Sequence, residues 1–301
     1  MMSLVNALPG AVAQGLIWGI MAIGVYLTFR ILDIADLTVD GSLGTGGAVC
    51  IMLMLSGQNV WVSMAGATAA GMVAGLATGI LHTFMGIPAI LAGILTQLGL
   101  YSINLKTMGK ANQAINVDKF DLLVSLRFIR KVPFYKNTIL IVAIAIIILI
   151  AILYWFFGTE LGCSLRATGC NDKMARAQGI NTDLSRVLGL MISNGLVALS
   201  GAMLCQYQGF ADINMGRGAI VIGLAAVIIG EAIFGKIFRN FGLKLLGVAL
   251  GSIIYYLVLQ VVIWMGIDTD LLKLLSAGVV AVFLAIPTWK SRYFSNMGKR
   301  G

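Results

Sequence analysis

The sequence predicts an all-α protein, a polytopic bundle of eight or nine transmembrane helices with a short extra helix near 172–178. Three observations predict it. Of the 301 residues, 59% are hydrophobic and only 11% are charged, whereas a soluble domain carries about 25% charged residues to keep its surface hydrated. The apolar residues fall into runs long enough to cross a bilayer. Charged residues collect between those runs.

A helix needs roughly 20 apolar residues to cross the hydrocarbon core. Such runs cover about 10–29, 60–82, 87–105, 138–157, 184–208, 218–235, 243–265 and 271–289. The stretch 43–57 is shorter and reads as a broken or half helix. Glycines recur four residues apart within these runs: Gly15 and Gly19; Gly71, Gly75 and Gly79; Gly247 and Gly251. Rows of small residues let helix backbones approach closely, which in lipid is a principal source of helix association. No polar stretch is long enough for a second core, so residues 1–301 read as a single transmembrane domain. No basic segment precedes the first apolar run, so no signal peptide is expected.

The net charge of +9 sits in the loops, where Lys and Arg hold a membrane protein at anionic lipid surfaces. No basic face with interleaved aromatics is available outside the membrane, so nucleic acid is not an expected partner. The basic residues mark the loop 106–137, the segment 158–183, the stretch from Lys236 to Lys244 and the C-terminus. Counting crossings puts the last three on one side. Twelve of the 21 basic residues then share the side of the C-terminus and nine lie on or near the other. That small excess favours a cytoplasmic C-terminus, and the basic 106–137 loop opposes it.

Residues 158–181 read GTELGCSLRATGCNDKMARAQGIN. Local chemistry predicts a short helix here. Asn171 suits the N-cap, Asp172 the first turn and Gly179 the position after the C-cap. With about 7–8 residues it is far too short to span, and its mixture of apolar and charged residues would lay it along the membrane face. An ordinary ordered loop is the competing reading.

The pattern G-x-x-L-R-A-x-G-x-N-x-x-x-A-x-x-x-G-I-N in this segment resembles the cytoplasmic signature of ABC-importer permeases of the branched-chain amino acid and ribose type. The similarity continues through Asn181, Thr182 and Asp183, through Leu199 to Met203, and through Gly223 to Gly230. Two further stretches, DLTVDGS from Asp36 to Ser42 and YSINLKTMG from Tyr101 to Gly109, resemble a narrower branch often assigned to tryptophan or tyrosine uptake. The resemblance implies that the short helix is a coupling helix gripped by an ATPase subunit. It places Gly162, Arg166, Ala167, Asn171, Ala175 and Gly179 in the coupling segment, 158–183. It also implies a multi-pass protein of the bacterial plasma (inner) membrane with a cytoplasmic C-terminus. The implied partners are two ATP-binding subunits, an extracytoplasmic substrate-binding protein and a second permease copy, most simply a homodimer, all working in the lipid bilayer. The cargo would be a small solute such as an aromatic or branched-chain amino acid. No cofactor is expected on this chain.

Polar residues inside the runs are the candidates for the translocation path: Asp36, Gln97, Asn104, Asn194, Gln206 and Glu231. Intramembrane carboxylates are costly and often functional, and the amides could bond to a neighbouring helix or to a zwitterionic solute. Asp33, Asp36 and Asp40 would share one face if their segment is helical, and Asp40 also reads as the cap of the helix beginning at Gly41 or Ser42. Glu231 either lines the path or pairs with Lys236 or Arg239. Asp212 and Arg217, in the outer stretch 209–218, could contact a binding protein or only solvent.

Catalytic and metal-binding residues are not expected. His82 has no convergent partners, and Cys50, Cys163, Cys170 and Cys205 read as small packing residues. Gly230 to Lys236, GEAIFGK, fits the first part of a phosphate-binding loop, but Ile237 follows where Ser or Thr would hold magnesium. ATP hydrolysis therefore belongs to a partner. An ion-coupled secondary transporter would want two detectable repeats, and a membrane-embedded enzyme would want a cluster of ionisable residues within the spans; neither pattern is visible.

Overall fold

A computed structural model describes residues 2–115, 120, 122–126 and 137–265, and positions 274, 277–278, 280–282 and 285. The expected run 271–289 and the basic C-terminus lie largely or wholly outside the described residues.

Ten α-helices and two short strands follow in order among those residues. They are α1 (Met2–Tyr26), which continues as a π-helical turn (Leu27–Ile31), α2 (Val39–Leu55), α3 (Val60–Thr83), α4 (Ala89–Met108) and β1 (Asn112–Ala114). Then come α5 (Thr138–Phe156), α6 (Glu160–Cys170), α7 (Asp172–Ala177), α8 (Thr182–Gln208), β2 (Phe210–Asp212), α9 (Ala219–Phe234) and α10 (Phe241–Trp264). Among the described residues, six segments are long and apolar enough to cross a membrane: 7–31, α3, α4, α5, α8 and α10. The shorter apolar helices are α2 and α9.

The glycine rows act as the sequence predicts. A Cβ on Gly71 would strike the Asn194 carbonyl, one on Gly75 the Leu190 carbonyl, and one on Gly79 Val187, so α3 lies backbone to backbone on α8. Gly15 and Gly19 press on Ile253 and Ala249 of α10, and Gly251 on Ala226 of α9. Hydroxyls then stitch the helices together. Ser193 donates to the Gly24 carbonyl at 2.8 Å, Ser200 to Ile17 at 2.8 Å, and Ser252 to Gly15. Such interhelical bonds contribute on average about 0.6 kcal/mol each in a bilayer.

The strands form a two-stranded antiparallel sheet pairing Asn112 with Asp212. This small sheet is a minor addition to an all-α fold and ties the start of the 106–137 loop to the segment after α8. The loop's Val124 is fully buried, and Thr138 at the start of α5 donates to the Ser125 carbonyl at 2.8 Å.

The second helix, expected as broken or half, is a continuous short helix of 17 residues, and the break precedes it. After the π turn the chain leaves the helix at residues 32–38 and dives inward, burying Leu32, Ile34 and Asp36. Irregular backbone at this depth survives only where protein surrounds it and its polar groups are satisfied. Here the Ile34 amide reaches the Thr28 carbonyl at 2.9 Å, and the Thr38 amide reaches Asp36 Oδ1 at 2.9 Å. An unbroken helix through Asp33, Asp36 and Asp40 is therefore ruled out; Asp33 has a left-handed φ of 54°.

Candidate functional site

The break sets Asp36 at the centre of the bundle, 2% exposed. Its Oδ2 accepts from Asn194 Nδ2 at 2.7 Å. Asn194, itself fully buried, donates also to the Leu190 carbonyl at 3.0 Å and accepts from Ser42 Oγ at 2.6 Å. On the other side Thr38 shares a hydrogen bond of 2.7 Å with Thr78, whose hydroxyl donates to Thr96 at 2.9 Å. One polar knot thus joins the break, α2, α3, α4 and α8. Asn194 lies 12 residues into α8, about 18 Å along its axis. The knot is well inside the bundle, where an unpartnered carboxylate would be very costly.

Of the six residues predicted to line a path, Asp36 and Asn194 meet directly. Gln97 and Asn104 come together elsewhere, in a cavity of about 330 Å³ that also holds Asp40, Tyr101 and Arg217. This cavity lies toward the β1–β2 end of the molecule. The Arg217 guanidinium stands 5.9 Å from the Tyr101 ring. Gln206 is fully buried beside Cys50, and its Oε1 accepts the Leu123 amide at 3.3 Å. Glu231 lies near the opposite end.

Two local expectations need correction. Asp40 does not cap its own helix, which begins at Val39; its carboxylate accepts the amides of Gly218 and Ile220, both at 2.9 Å, and so caps α9. The unsatisfied amides and positive dipole end of α9 draw it there. Glu231 pairs with neither Lys236 nor Arg239; it binds Arg30 Nε at 2.9 Å, because the π turn brings Arg30 beside the last turn of α9. The cysteines divide also. Cys50 and Cys205 are buried, but α6 exposes Cys163 and Cys170.

The segment 158–183 folds as two helices. Thr159 caps α6, which carries Gly162, Arg166 and Ala167, and Arg166 sits 4.4 Å from the Phe241 ring. Gly162 packs where any Cβ would meet the backbone of Phe156 and Phe157. Asn171 ends α6 and caps α7 by accepting the Met174 amide at 3.1 Å, and Gly179 takes φ 82° after it. Ala175 is buried beneath α7, whereas Lys173, Met174 and Ala177 are exposed. Arg176 bonds Thr182 at 2.7 Å and Asp183 at 2.9 Å, and Arg186 reaches Asp172 at 3.1 Å, which fixes α7 to the start of α8. The result is a short prominence tied to the start of α8, with an exposed, mixed apolar and basic face.

Sequence reasoning missed Ser42, Thr38, Thr78, Thr96 and Arg30. Small hydroxyl residues are ordinary in transmembrane helices, where they bond to the carbonyl four residues back. Thr78 and Thr96 do so and also bond each other, so no local signal separates them from their neighbours.

Comparison with known proteins agrees with this layout. The family described as "Branched-chain amino acid transport system / permease component" matches residues 8–291. A tyrosine transport system permease protein of Clostridioides difficile is 38% identical over 93% of this chain and 91% of its own length. An uncharacterized protein of Rickettsia prowazekii is 35% identical over 93% and 97%. The autoinducer 2 import system permease protein LsrC of Yersinia pestis is 29% identical over 92% and 70%. A chain in the structure of PsaBC from Streptococcus pneumoniae in complex with Fab shares the fold, with a TM-score of 0.54, 16% identity, and coverage of 94% and 95%. The chain belongs to the permeases of the branched-chain amino acid and ribose type of ABC transporter.

Proposed function

We propose that this chain forms the translocation path of an importer for a small solute, an aromatic or branched-chain amino acid, with tyrosine as the first candidate. ATP is hydrolysed by two separate subunits that grip α7. The observation that carries this reading is the α6–α7 prominence: a capped six-residue helix, braced by the Asp172, Arg176, Asp183 and Arg186 cluster, presents Lys173 and Met174 outward. A lever must be stiff relative to its partner, and this one is held by side-chain bonds on both flanks.

In this reading two copies pair, the C-terminus and α7 face the cytoplasm, and a binding protein delivers cargo to the cavity at Gln97, Asn104 and Arg217. The knot at Asp36 and Asn194 lies between that cavity and the α7 face. Nucleotide-driven movement of α7 would favour one facing state only by fitting it better than the other.

The test is reconstitution with the ATPase and binding protein in vesicles. Tyrosine uptake should require ATP. Met174→Asp with Lys173→Glu should abolish copurification of the ATPase and uptake while leaving thermal unfolding unchanged, since both side chains are exposed. Undiminished copurification with the double variant removes α7 as the coupling element. ATP-driven uptake of a sugar but not of any amino acid refutes the proposed cargo.

A further inference from the structure

At the membrane face bearing α6 and α7, the ends of α1, α5 and α10 enclose a cavity of about 570 Å³. Four basic residues line it: Arg30, Arg166, Arg239 and Lys244. No acidic residue lines it among the described residues. Arg30 is paired with Glu231, and Arg166 lies over Phe157 and Phe241. Arg239 and Lys244 make no ion pair among the described residues and are exposed.

A second cavity of about 490 Å³ continues from the first along the outside of the bundle. The two share Tyr154 and Asn240. Apart from these, the second is lined by apolar residues of α5 and α10, among them Ile147, Ile150, Ala151, Leu243 and Leu246. On α5 the lining runs from Ile147 to Tyr154, seven residues apart, so the groove extends about 10 Å along the helix. One leaflet contributes about 15 Å of hydrocarbon, half of the roughly 30 Å core. The groove therefore covers about two thirds of one leaflet's depth, with the cationic cavity at its polar end.

We propose that this composite site binds an anionic phospholipid, its phosphate among Arg166, Arg239 and Lys244 and one acyl chain in the groove between α5 and α10. Charge and depth together select this occupant. A soluble anion would leave the groove to bulk lipid, and a zwitterionic lipid would bring a cation among cations. Basic pockets between transmembrane helices suit anionic head groups for this reason. Tyr154 and Asn240, at the junction, place polar atoms at the level of the glycerol backbone. The site includes Arg166 of α6 but not the exposed face of α7, and lipid binding to the isolated chain is read without the ATPase.

The full chain in non-ionic detergent would be titrated with dioleoylphosphatidylglycerol, dioleoylphosphatidylcholine and glycerol 3-phosphate, with bound species counted by native mass spectrometry. The expected result is preferential binding of phosphatidylglycerol. Arg239→Gln with Lys244→Gln should weaken it by about tenfold or more. Lys236→Gln, an exposed cation that does not line the cavity, should leave it unchanged. Ala151→Trp, which fills the groove, should weaken the lipid but not glycerol 3-phosphate. Equal binding of the two lipids overturns the proposal, as does an unaltered affinity in the double variant or an equal loss in Lys236→Gln. Glycerol 3-phosphate binding as tightly as phosphatidylglycerol would make the site one for a soluble anion and refute the lipid.

Discussion

Helices α5 and α8 invert the rule familiar from soluble proteins. α5 reads TILIVAIAIIILIAILYWF, without a glycine or a charge, yet only 22% of its most apolar window is buried. α8 contains Asn194, Gln206, three serines and three glycines, and 72% of its window is buried. Lipid is as apolar as leucine, so an isoleucine gains little by moving from lipid to protein. A glycine, serine or asparagine gains contact and a hydrogen-bond partner only against another helix. In this molecule small and polar residues mark the interior, and the greasiest helix marks the outside.

Substitutions can break that contrast or sharpen it. The largest effect is expected at the α3–α8 seam. Gly75→Val would drive a branched side chain into the Leu190 carbonyl, and overpacking of this kind costs about 3 kcal/mol. Thermal unfolding in detergent should show the loss, and an unaltered midpoint would mean that the two backbones are not in contact. A smaller effect is expected at the knot. Asn194→Leu leaves the Asp36 carboxylate and the Ser42 hydroxyl without the amide that bonds both, at a cost of about 1–3 kcal/mol. The same unfolding assay checks this, and stabilisation would show that the carboxylate finds other partners. The smallest is expected on α5, where Ile148 is exposed on the lipid side. Ile148→Val should change stability by less than about 0.5 kcal/mol. A loss approaching that of Gly75→Val would reveal a second protein copy covering α5.

Much of this arrangement is legible in the chain because its signals are local. The Asn171 cap, Asp172 in the first turn and Gly179 beyond the end announce α7 within nine residues. The four-residue glycine spacing announces close packing. What each row packs against is not local: nothing in Gly71-x-x-x-Gly75 names α8 as its partner. The burial of the break at 32–38 escaped because a short stretch between two apolar runs reads as an exposed connection, although Leu32, Ile34 and Asp36 are buried. The partners of Asp40 and Glu231 escaped for a related reason. A carboxylate advertises its need for a partner but not its address, and Asp40 finds its own 178 residues downstream.

Those two carboxylates bear on how the molecule can move. The break is flanked by Arg30 and Asp40, and these two residues hold opposite ends of α9. α9 is 16 residues long, about 24 Å, and the chain from 30 to 40 is tied to both of its ends. The two ties differ in strength. At one end Asp40 grips two backbone amides that no rotamer change can remove. At the other an ion pair, with Arg30 more than half exposed, is worth at most about 1 kcal/mol. The Glu231 end of α9 is thus the less firmly tied of the two, and a tilt of α9 in a transport cycle would meet less resistance there than at the Asp40 end.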